Sequence, residues 1–211
     1  MSRIDLYLFV ERSIFETDAQ WLNALATLAA LDVEGLGVQV RMRGETPDRA
    51  ELLASQARVA TAGAAAPVLL NGTTQQALNL GYEGVHWPEA LIPAQPEQTS
   101  LLRGASVHSP NAAIRGEAGG AGFLVAGTIF DAGSKPAPGA GLDLLRRIAA
   151  ATSLPVLAIG GVTPQRVTSC VAAGASGVAV VTSVLRAPDM SAAVQDLREA
   201  LDEARVAGRP R

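Results

Sequence analysis

The sequence predicts a closed (β/α)₈ barrel of the TIM type, built as one domain over residues 1–211. Short apolar runs alternate with longer segments of helical periodicity through eight rounds, which is typical of parallel βαβ units. The chain is 48% hydrophobic, enough for one buried core, and no linker or change of composition divides it. An open doubly wound sheet is the alternative. That fold commonly carries a G-x-G-x-x-G turn after its first strand, whereas residues 10–13 here contain no glycine.

The candidate strands are short runs rich in Val, Leu, Ile and Ala, as expected for strands buried on both faces of a parallel sheet. In chain order they are residues 6–10, 37–42, 67–71, 84–87, 104–108, 121–126, 155–159 and 177–182. The segments predicted to be helical or connecting are residues 18–31, 47–62, 73–80, 96–102, 111–118, 141–151, 164–173 and 191–204, of which 96–102 has the weakest helical periodicity. Thr46 and Thr163, each followed by proline, are predicted N-caps. Gly81 and Gly174 are predicted to adopt the left-handed backbone conformation in the loops that follow helices.

Charge and composition exclude several classes of function. Seventeen basic and 20 acidic residues leave a net charge of −3 without a dense Lys/Arg cluster, so no nucleic-acid partner is expected. The apolar run at residues 4–10 contains Asp5 and lacks both the length of a membrane span and the profile of a signal peptide, which predicts a cytoplasmic protein without a membrane partner. The single cysteine, Cys170, cannot form an internal disulfide and is expected to be an inert helix residue. The oligomeric state stays open, and a homo-oligomer is compatible with the sequence.

Polar residues with useful chemistry stand where the predicted strands end, which is where active sites of such barrels lie. They are Arg41, Arg43, Asn71, His86, Ser106, His108, Lys135, Gly160, Gly161, Thr182 and Ser183. Sixteen of the 17 basic residues are arginine, so the one lysine is a candidate for a specific role. It lies in a long Gly/Pro-rich segment, residues 127–141, that is predicted to be an active-site flap; a solvated loop charge is the alternative.

Two glycines and two hydroxyl residues predict a phosphate site. Gly160 and Gly161 follow the seventh strand, and Thr182 and Ser183 end the eighth. The loops after these two strands often bind phosphate in such barrels, because glycine lets backbone N–H groups approach an anion closely. The ligand is therefore expected to be phosphorylated, with a tight turn that binds nothing as the alternative.

Two pairs of alternating residues are predicted to face this ligand. Residues two apart share one face of a strand, so Arg41 and Arg43 would project together and hold a phosphate or carboxylate, or else solvate the barrel end. Ser106 and His108 would also project together. A neutral imidazole can move a proton on and off carbon or nitrogen near pH 7, and a purely structural histidine is the alternative.

Together these segments resemble the thiamine phosphate synthase and TenI superfamily over residues 6–189. The most specific matches are residues 127–130 with Ser134 and Lys135, residues 155–162, and residues 173–183. The resemblance implies a small TIM barrel with one of two activities. The synthase joins a pyrimidine methyl diphosphate to a thiazole phosphate with Mg²⁺ at the diphosphate, whereas some TenI-like proteins tautomerise a carboxythiazole phosphate without metal.

Departures from the synthase pattern favour the tautomerase. In that pattern a metal-binding Asp follows Asn71 and a second lies near position 91, but this chain has Gly72 and Leu91 there. Without these carboxylates Mg²⁺ has little to hold it, and Glu89 alone is a poor replacement. Arg43 also replaces the lysine of the pattern.

The resemblance thus predicts a metal-independent thiazole tautomerase that needs no cofactor. His108 would relay the proton between ring positions, with Ser106 orienting it, and Arg41 or Lys135 would hold the carboxylate. The residues assigned to substrate binding are Arg41, Arg43, Asn71, Ser134 and Lys135, and those assigned to the phosphate are Gly160, Gly161, Thr182 and Ser183. Two alternatives remain: a thiamine phosphate synthase with an altered Mg²⁺ site, and a non-catalytic regulatory homologue that binds a phosphorylated ligand.

Overall fold

The computed structural model describes residues 4–131 and 139–207, and within them eight parallel strands close into one barrel. The strands are β1 (Leu6–Glu11), β2 (Leu36–Arg41), β3 (Val68–Asn71), β4 (Gly84–Trp87), β5 (Leu102–Val107), β6 (Phe123–Gly127), β7 (Val156–Ile159) and β8 (Gly177–Val180). Each strand pairs with its neighbours in sequence, and β1 closes the ring by pairing with β8. The predicted TIM barrel is confirmed, and the open sheet, which would leave two unpaired edges, is excluded.

The helices are α1 (Asp18–Ala29), α2 (Pro47–Ala60), α3 (Thr74–Asn79), α4 (Pro110–Ala118), α5 (Gly141–Ala149), α6 (Pro164–Ala172), α7 (Thr182–Leu185) and α8 (Met190–Ala207). Thr46 and Thr163 occupy the predicted N-cap positions with a proline directly after them, although neither side chain makes a capping hydrogen bond. Gly81 and Gly174 have the predicted positive φ angles, 70° and 95°. Among the described residues, none of the helices combines the length and apolar character that a bilayer crossing requires.

Of the segments predicted to be helical or connecting, residues 96–102 are connecting chain, and the eighth strand ends two residues earlier than predicted. Residues 96–102 form no helix: a 3₁₀ turn at Glu89–Leu91 is followed by irregular chain until β5 begins. Besides its proline, this segment has only two apolar side chains, Leu101 and Leu102, too few for a helix to bury one face, and Leu102 pairs with Gly84 in the sheet. The eighth strand stops at Val180 instead of residue 182, since Val181 (φ −130°, ψ −85°) turns the chain into α7.

Two apolar layers fill the molecule. The larger one lies between the strands and the surrounding helices and includes Trp21, Trp87 and Cys170. Burial raises the pKa of the Cys170 thiol to about 11, against a small opposing effect of Arg166, so the thiol is neutral at physiological pH. The second layer fills the barrel interior with Ile4, Tyr7, Phe9, Leu69, Phe123, Val125, Leu157 and Ala179.

A charged network closes the end of the barrel where the strands begin. Arg198 and Arg205 of α8 donate hydrogen bonds to the two carboxylate oxygens of Asp5, at 2.7 and 2.6 Å. Arg198 also donates to the carbonyl of Glu34 at 3.1 Å, and Arg205 to that of Ser176 at 3.0 Å. The network therefore ties the last helix to the segments that precede β1, β2 and β8.

Candidate active site at the barrel mouth

A cavity of about 420 Å³ opens at the carboxyl ends of the strands. Phe9, Val125 and Ala179 of the interior layer form its floor. The assigned residues that line it are Arg41, Arg43, Ser106, His108, Gly160, Gly161, Thr182 and Ser183. Segments that are far apart in sequence therefore meet around one space, because a closed parallel barrel brings all the strand ends to the same rim.

Asn71 is the one assigned residue of the described chain that does not line this cavity. Asn71 lines a neighbouring cavity beside α2 and α3, together with Gln76 and Asn79. Its side-chain amide donates to the carbonyl of His86 at 3.2 Å, which links β3 to β4. Ser134 and Lys135 lie outside the described residues, so their predicted contacts stay predictions.

The glycine turn after β7 has a backbone that other residues rarely adopt. Gly160 and Gly161 have φ angles of 100° and 61°. A Cβ atom would lie 2.9 Å from the Thr128 Cα at the first position and 2.9 Å from the Phe130 Cβ at the second. The N–H of Phe130 donates to the Gly160 carbonyl at 3.0 Å, and Arg166 donates to the Gly161 carbonyl at 2.6 Å. These bonds fix the turn at the edge of the cavity.

Positive charge exceeds negative charge around the cavity. Arg41, Arg43 and Arg186 line it, and Glu11 is the one carboxylate among the described lining residues. Glu11 accepts a hydrogen bond from the backbone N–H of Arg43 at 3.1 Å and lies 3.5 Å from Arg41 Nε, an ion pair without hydrogen-bond geometry. Burial lowers the pKa of Arg41, and Glu11 opposes this effect. The excess of arginine suits an anionic ligand.

Sequence reasoning did not single out Glu11 or Arg186. The sequence feature that could have identified both residues is their position after a strand. Glu11 is the last residue of β1, and Arg186 directly follows α7, between β8 and α8. Rim position alone does not distinguish a lining residue from a solvated one. Strand tilt and barrel closure decide that, and neither can be read from the spacing.

Ser106 and His108 both line the cavity. No hydrogen bond joins them in the described structure, although Ser106 was predicted to orient His108. Ser106 Oγ is hydrogen-bonded to His86 Nε2 at 2.8 Å. His86 is fully buried below the rim, which corrects the expectation that both histidines lie at the barrel end. Burial, with a contribution from the positive charge of Arg41, lowers the pKa of His86 to about 3, so this ring is neutral at physiological pH.

His108 is held by Glu89 instead. The Glu89 Oε2 atom accepts hydrogen bonds from the His108 backbone N–H at 2.9 Å and from its ring Nδ1 at 2.8 Å. Arg115 donates to the other carboxylate oxygen at 3.0 Å. Burial raises the pKa of Glu89, but the hydrogen bonds from His108 and Arg115 outweigh it and hold the pKa below its usual value. The carboxylate is therefore ionised near neutral pH.

The residues present do not fit a two-carboxylate magnesium site. The two positions that the synthase pattern fills with Asp hold Gly72 and Leu91. Glu11 accepts a hydrogen bond from the backbone N–H of Arg43 and forms an ion pair with Arg41, and Glu89 is bonded to His108 and Arg115. Within residues 4–131 and 139–207, no group of three or more His, Cys, Asp or Glu side chains is placed to hold a metal ion. Mg²⁺ prefers several oxygen ligands, and the described residues do not offer such a set.

Known proteins resemble this chain over most of its length. A family described as thiamine monophosphate synthase matches residues 6–184. A thiamine-phosphate synthase of Methanoculleus marisnigri is 37% identical over an alignment of 216 residues, which covers 97% of this chain and 99% of that protein. A second, from Moorella thermoacetica, is 36% identical over 154 residues, 70% of this chain and 73% of that protein. In fold, the chain resembles the solved thiamine phosphate pyrophosphorylase from Pyrococcus furiosus, with a TM-score of 0.69, 24% identity, and coverage of 95% of this chain and 96% of that one.

Proposed function

Because this chain belongs to the thiamine monophosphate synthase family, an enzyme family of thiamine biosynthesis, we propose that it acts on a phosphorylated thiazole in the cavity at the barrel mouth. A cavity of about 420 Å³ suits a small molecule, and its arginines suit an anion. In this proposal Gly160, Gly161, Thr182 and Ser183 bind the phosphate. Arg41 and Arg43 bind a second anionic group, with Ser134 and Lys135 as further predicted contacts.

The relatives favour one of the two reactions that the sequence left open. Both relatives at 36–37% identity are named thiamine-phosphate synthase. These names support a transferase more than the isomerase that the sequence departures predict. The synthase is therefore a candidate function of this chain, carried by its similarity to these relatives.

The geometry of the cavity supports proton transfer better. The observation that carries this proposal is the His108 ring, whose Nδ1 is bound by an ionised carboxylate while its Nε2 makes no hydrogen bond within the described chain. The lack of a carboxylate pair at positions 72 and 91 removes the charge stabilisation that a departing diphosphate needs. We therefore place the metal-independent thiazole tautomerase first and the synthase second. In the tautomerase reaction His108 takes a proton from one position of the thiazole and returns it at another, and no cofactor takes part.

Two assays on the purified protein separate these candidates. We expect tautomerisation of carboxythiazole phosphate in the presence of EDTA, and we expect His108→Ala to lower turnover by a factor of about 10² to 10⁴ because the proton carrier is lost. The second assay supplies hydroxymethylpyrimidine diphosphate, thiazole phosphate and Mg²⁺. Formation of thiamine phosphate at synthase rates, without tautomerisation, would establish the second candidate and overturn the first.

Ligand binding by the same variant tests the regulatory alternative. The wild-type protein and His108→Ala should bind carboxythiazole phosphate with similar affinity, since the phosphate contacts are unchanged. A protein that binds this ligand but catalyses neither reaction would be the non-catalytic homologue instead.

A further inference from the structure

We propose that Glu89 is a positioning residue that holds the His108 ring with a proton on Nδ1 and so presents Nε2 to the ligand. The inference deepens the proposed function and rests on it, because His108 is the proton carrier in that reaction. Glu89 itself is not among the residues that line the cavity, whereas His108 is. The carboxylate therefore acts through the imidazole and not on the ligand.

The geometry fixes the ring in two ways. One carboxylate oxygen, Oε2 of Glu89, receives both the backbone N–H of His108 at 2.9 Å and the ring Nδ1 at 2.8 Å. The first bond holds the main chain where β5 has just ended, and the second holds the ring relative to that main chain. A side chain that is 62% exposed is thereby kept in one orientation without being packed.

The chemistry of the acceptor fixes the tautomer. An ionised carboxylate can only accept hydrogen bonds, so Nδ1 must carry the proton. In the neutral ring the lone pair is then on Nε2, the nitrogen that can take a proton from a ligand. A carboxylate on the opposite nitrogen also stabilises the imidazolium that forms when Nε2 is protonated.

Glu89 is itself held in place. It is the first residue of the 3₁₀ turn that follows β4, and His108 follows the neighbouring strand β5, so the parallel pairing of these strands brings the two together. Arg115 of α4 binds the other carboxylate oxygen at 3.0 Å. The remaining charged groups around the cavity, Glu11, Arg41, Arg43 and Arg186, make no hydrogen bond or ion pair with His108 in the described chain.

This arrangement also excludes Glu89 as a replacement metal ligand. Both of its oxygens are bonded, and a guanidinium stands beside one of them. A divalent cation would have to displace His108 and approach Arg115. The carboxylate that the sequence left as a doubtful magnesium ligand accepts hydrogen bonds at both oxygens without one.

Nitrogen NMR can test the tautomer directly, because the chain has only two histidines. With both rings neutral, long-range ¹H–¹⁵N spectra of the wild-type protein should show His108 protonated at Nδ1, with His108→Ala providing the assignment. Glu89→Ala removes the acceptor, so the His108 signals should move towards the Nε2-protonated form that predominates in free histidine. Glu89→Gln keeps an acceptor oxygen and should restore part of the wild-type pattern. Identical His108 signals in wild type and Glu89→Ala would overturn the proposal.

Kinetics on the same variants tests the consequence for catalysis. An exposed pair should contribute less than a buried triad, so we expect Glu89→Ala to lower kcat of tautomerisation about 10- to 100-fold with little change in KM. Glu117→Ala is the matched control: this carboxylate on α4 is also held by hydrogen bonds, from Thr152 and Ser153, but it is not near the cavity. A kcat that is unchanged in Glu89→Ala would contradict the positioning role. A wild-type protein without tautomerase activity would instead contradict the proposed function, and the NMR result would still decide the role of Glu89.

Discussion

His86 is buried inside the barrel, whereas the side chain of His108 is exposed at its mouth. The His86 ring is fully buried, with the ring centroids of Tyr7, Phe9 and Phe123 at 5.6, 5.3 and 6.2 Å. His108 is largely exposed and contacts a carboxylate. Of the two, only the exposed ring lines the cavity, while the buried one serves as a neutral hydrogen-bond partner of Ser106.

The buried histidine should make stability depend on pH. The pKa of His86 is lowered from 6.5 to about 3 in the folded protein, so between these values the unfolded chain binds the proton more readily. Its contribution is fully present above about pH 6.5 and is lost as the pH falls towards 3. We expect the free energy of unfolding to fall by at most about 1.4 kcal/mol per pH unit from this group, measured by urea unfolding between about pH 6.5 and 5.

Two variants test whether this change of unfolding free energy with pH comes from His86. His108→Ala should keep it, because His86 is intact. His86→Gln cannot titrate in this range, so its unfolding free energy should change much less with pH. Equal slopes in His86→Gln and the wild type would contradict the assignment.

The sequence predicted which residues belong to the site better than it predicted their partners. Spacing placed Ser106 and His108 on one face of a strand, and both line the cavity. Their partners, His86 and Glu89, lie 20 and 19 residues earlier in the chain, across the neighbouring strand and its turn. Such contacts depend on strand register and on the path of an irregular loop, which periodicity does not determine.

At the scale of elements, the apolar runs predicted every strand because strands buried on both faces must be continuously apolar. Residues 96–102, predicted to be helical or connecting, form no helix, because the segment has too few apolar side chains to bury one face. The shift of Thr182 from strand to helix had a different cause. The chain turns into α7 at Val181, which is itself apolar and carries no turn signal.

The last helix gives a stability prediction. Asp5 is 8% exposed and binds both Arg198 and Arg205 of α8, so Asp5→Asn would leave two guanidinium groups without their shared anion. Breaking such a largely buried network should cost about 2 to 4 kcal/mol of unfolding free energy in chemical denaturation. The cavity lies at the opposite end of the barrel from this change, so ligand affinity should be kept.

Asp202→Asn provides the control for that experiment. Asp202 also bonds Arg198, at 2.7 Å, but its side chain is 62% exposed. Solvent screening should limit its effect to less than about 1 kcal/mol. If both substitutions lower the free energy of unfolding equally, the burial of Asp5 does not account for the stabilisation by this network.

At the scale of the whole molecule, barrel closure creates the site. The cavity is lined by residues from near the start of the chain, such as Glu11, to near its end, such as Arg186, and an open sheet would leave the first and last strands apart. The cavity follows from this architecture, and the match over residues 6–184 shows the family. The proposed reaction depends on a few positions, Gly72, Glu89 and Leu91 among them, at which overall identity to the relatives carries little information.

The most direct test of the central claim is a crystal structure of the protein with carboxythiazole phosphate. We predict that the phosphate lies against the turn at Gly160 and Gly161 with the Ser183 hydroxyl in contact. The thiazole ring should lie within hydrogen-bond distance of His108 Nε2, with Glu89 still bound to Nδ1. A ligand whose phosphate lies elsewhere, or whose ring is out of reach of His108, would contradict the account.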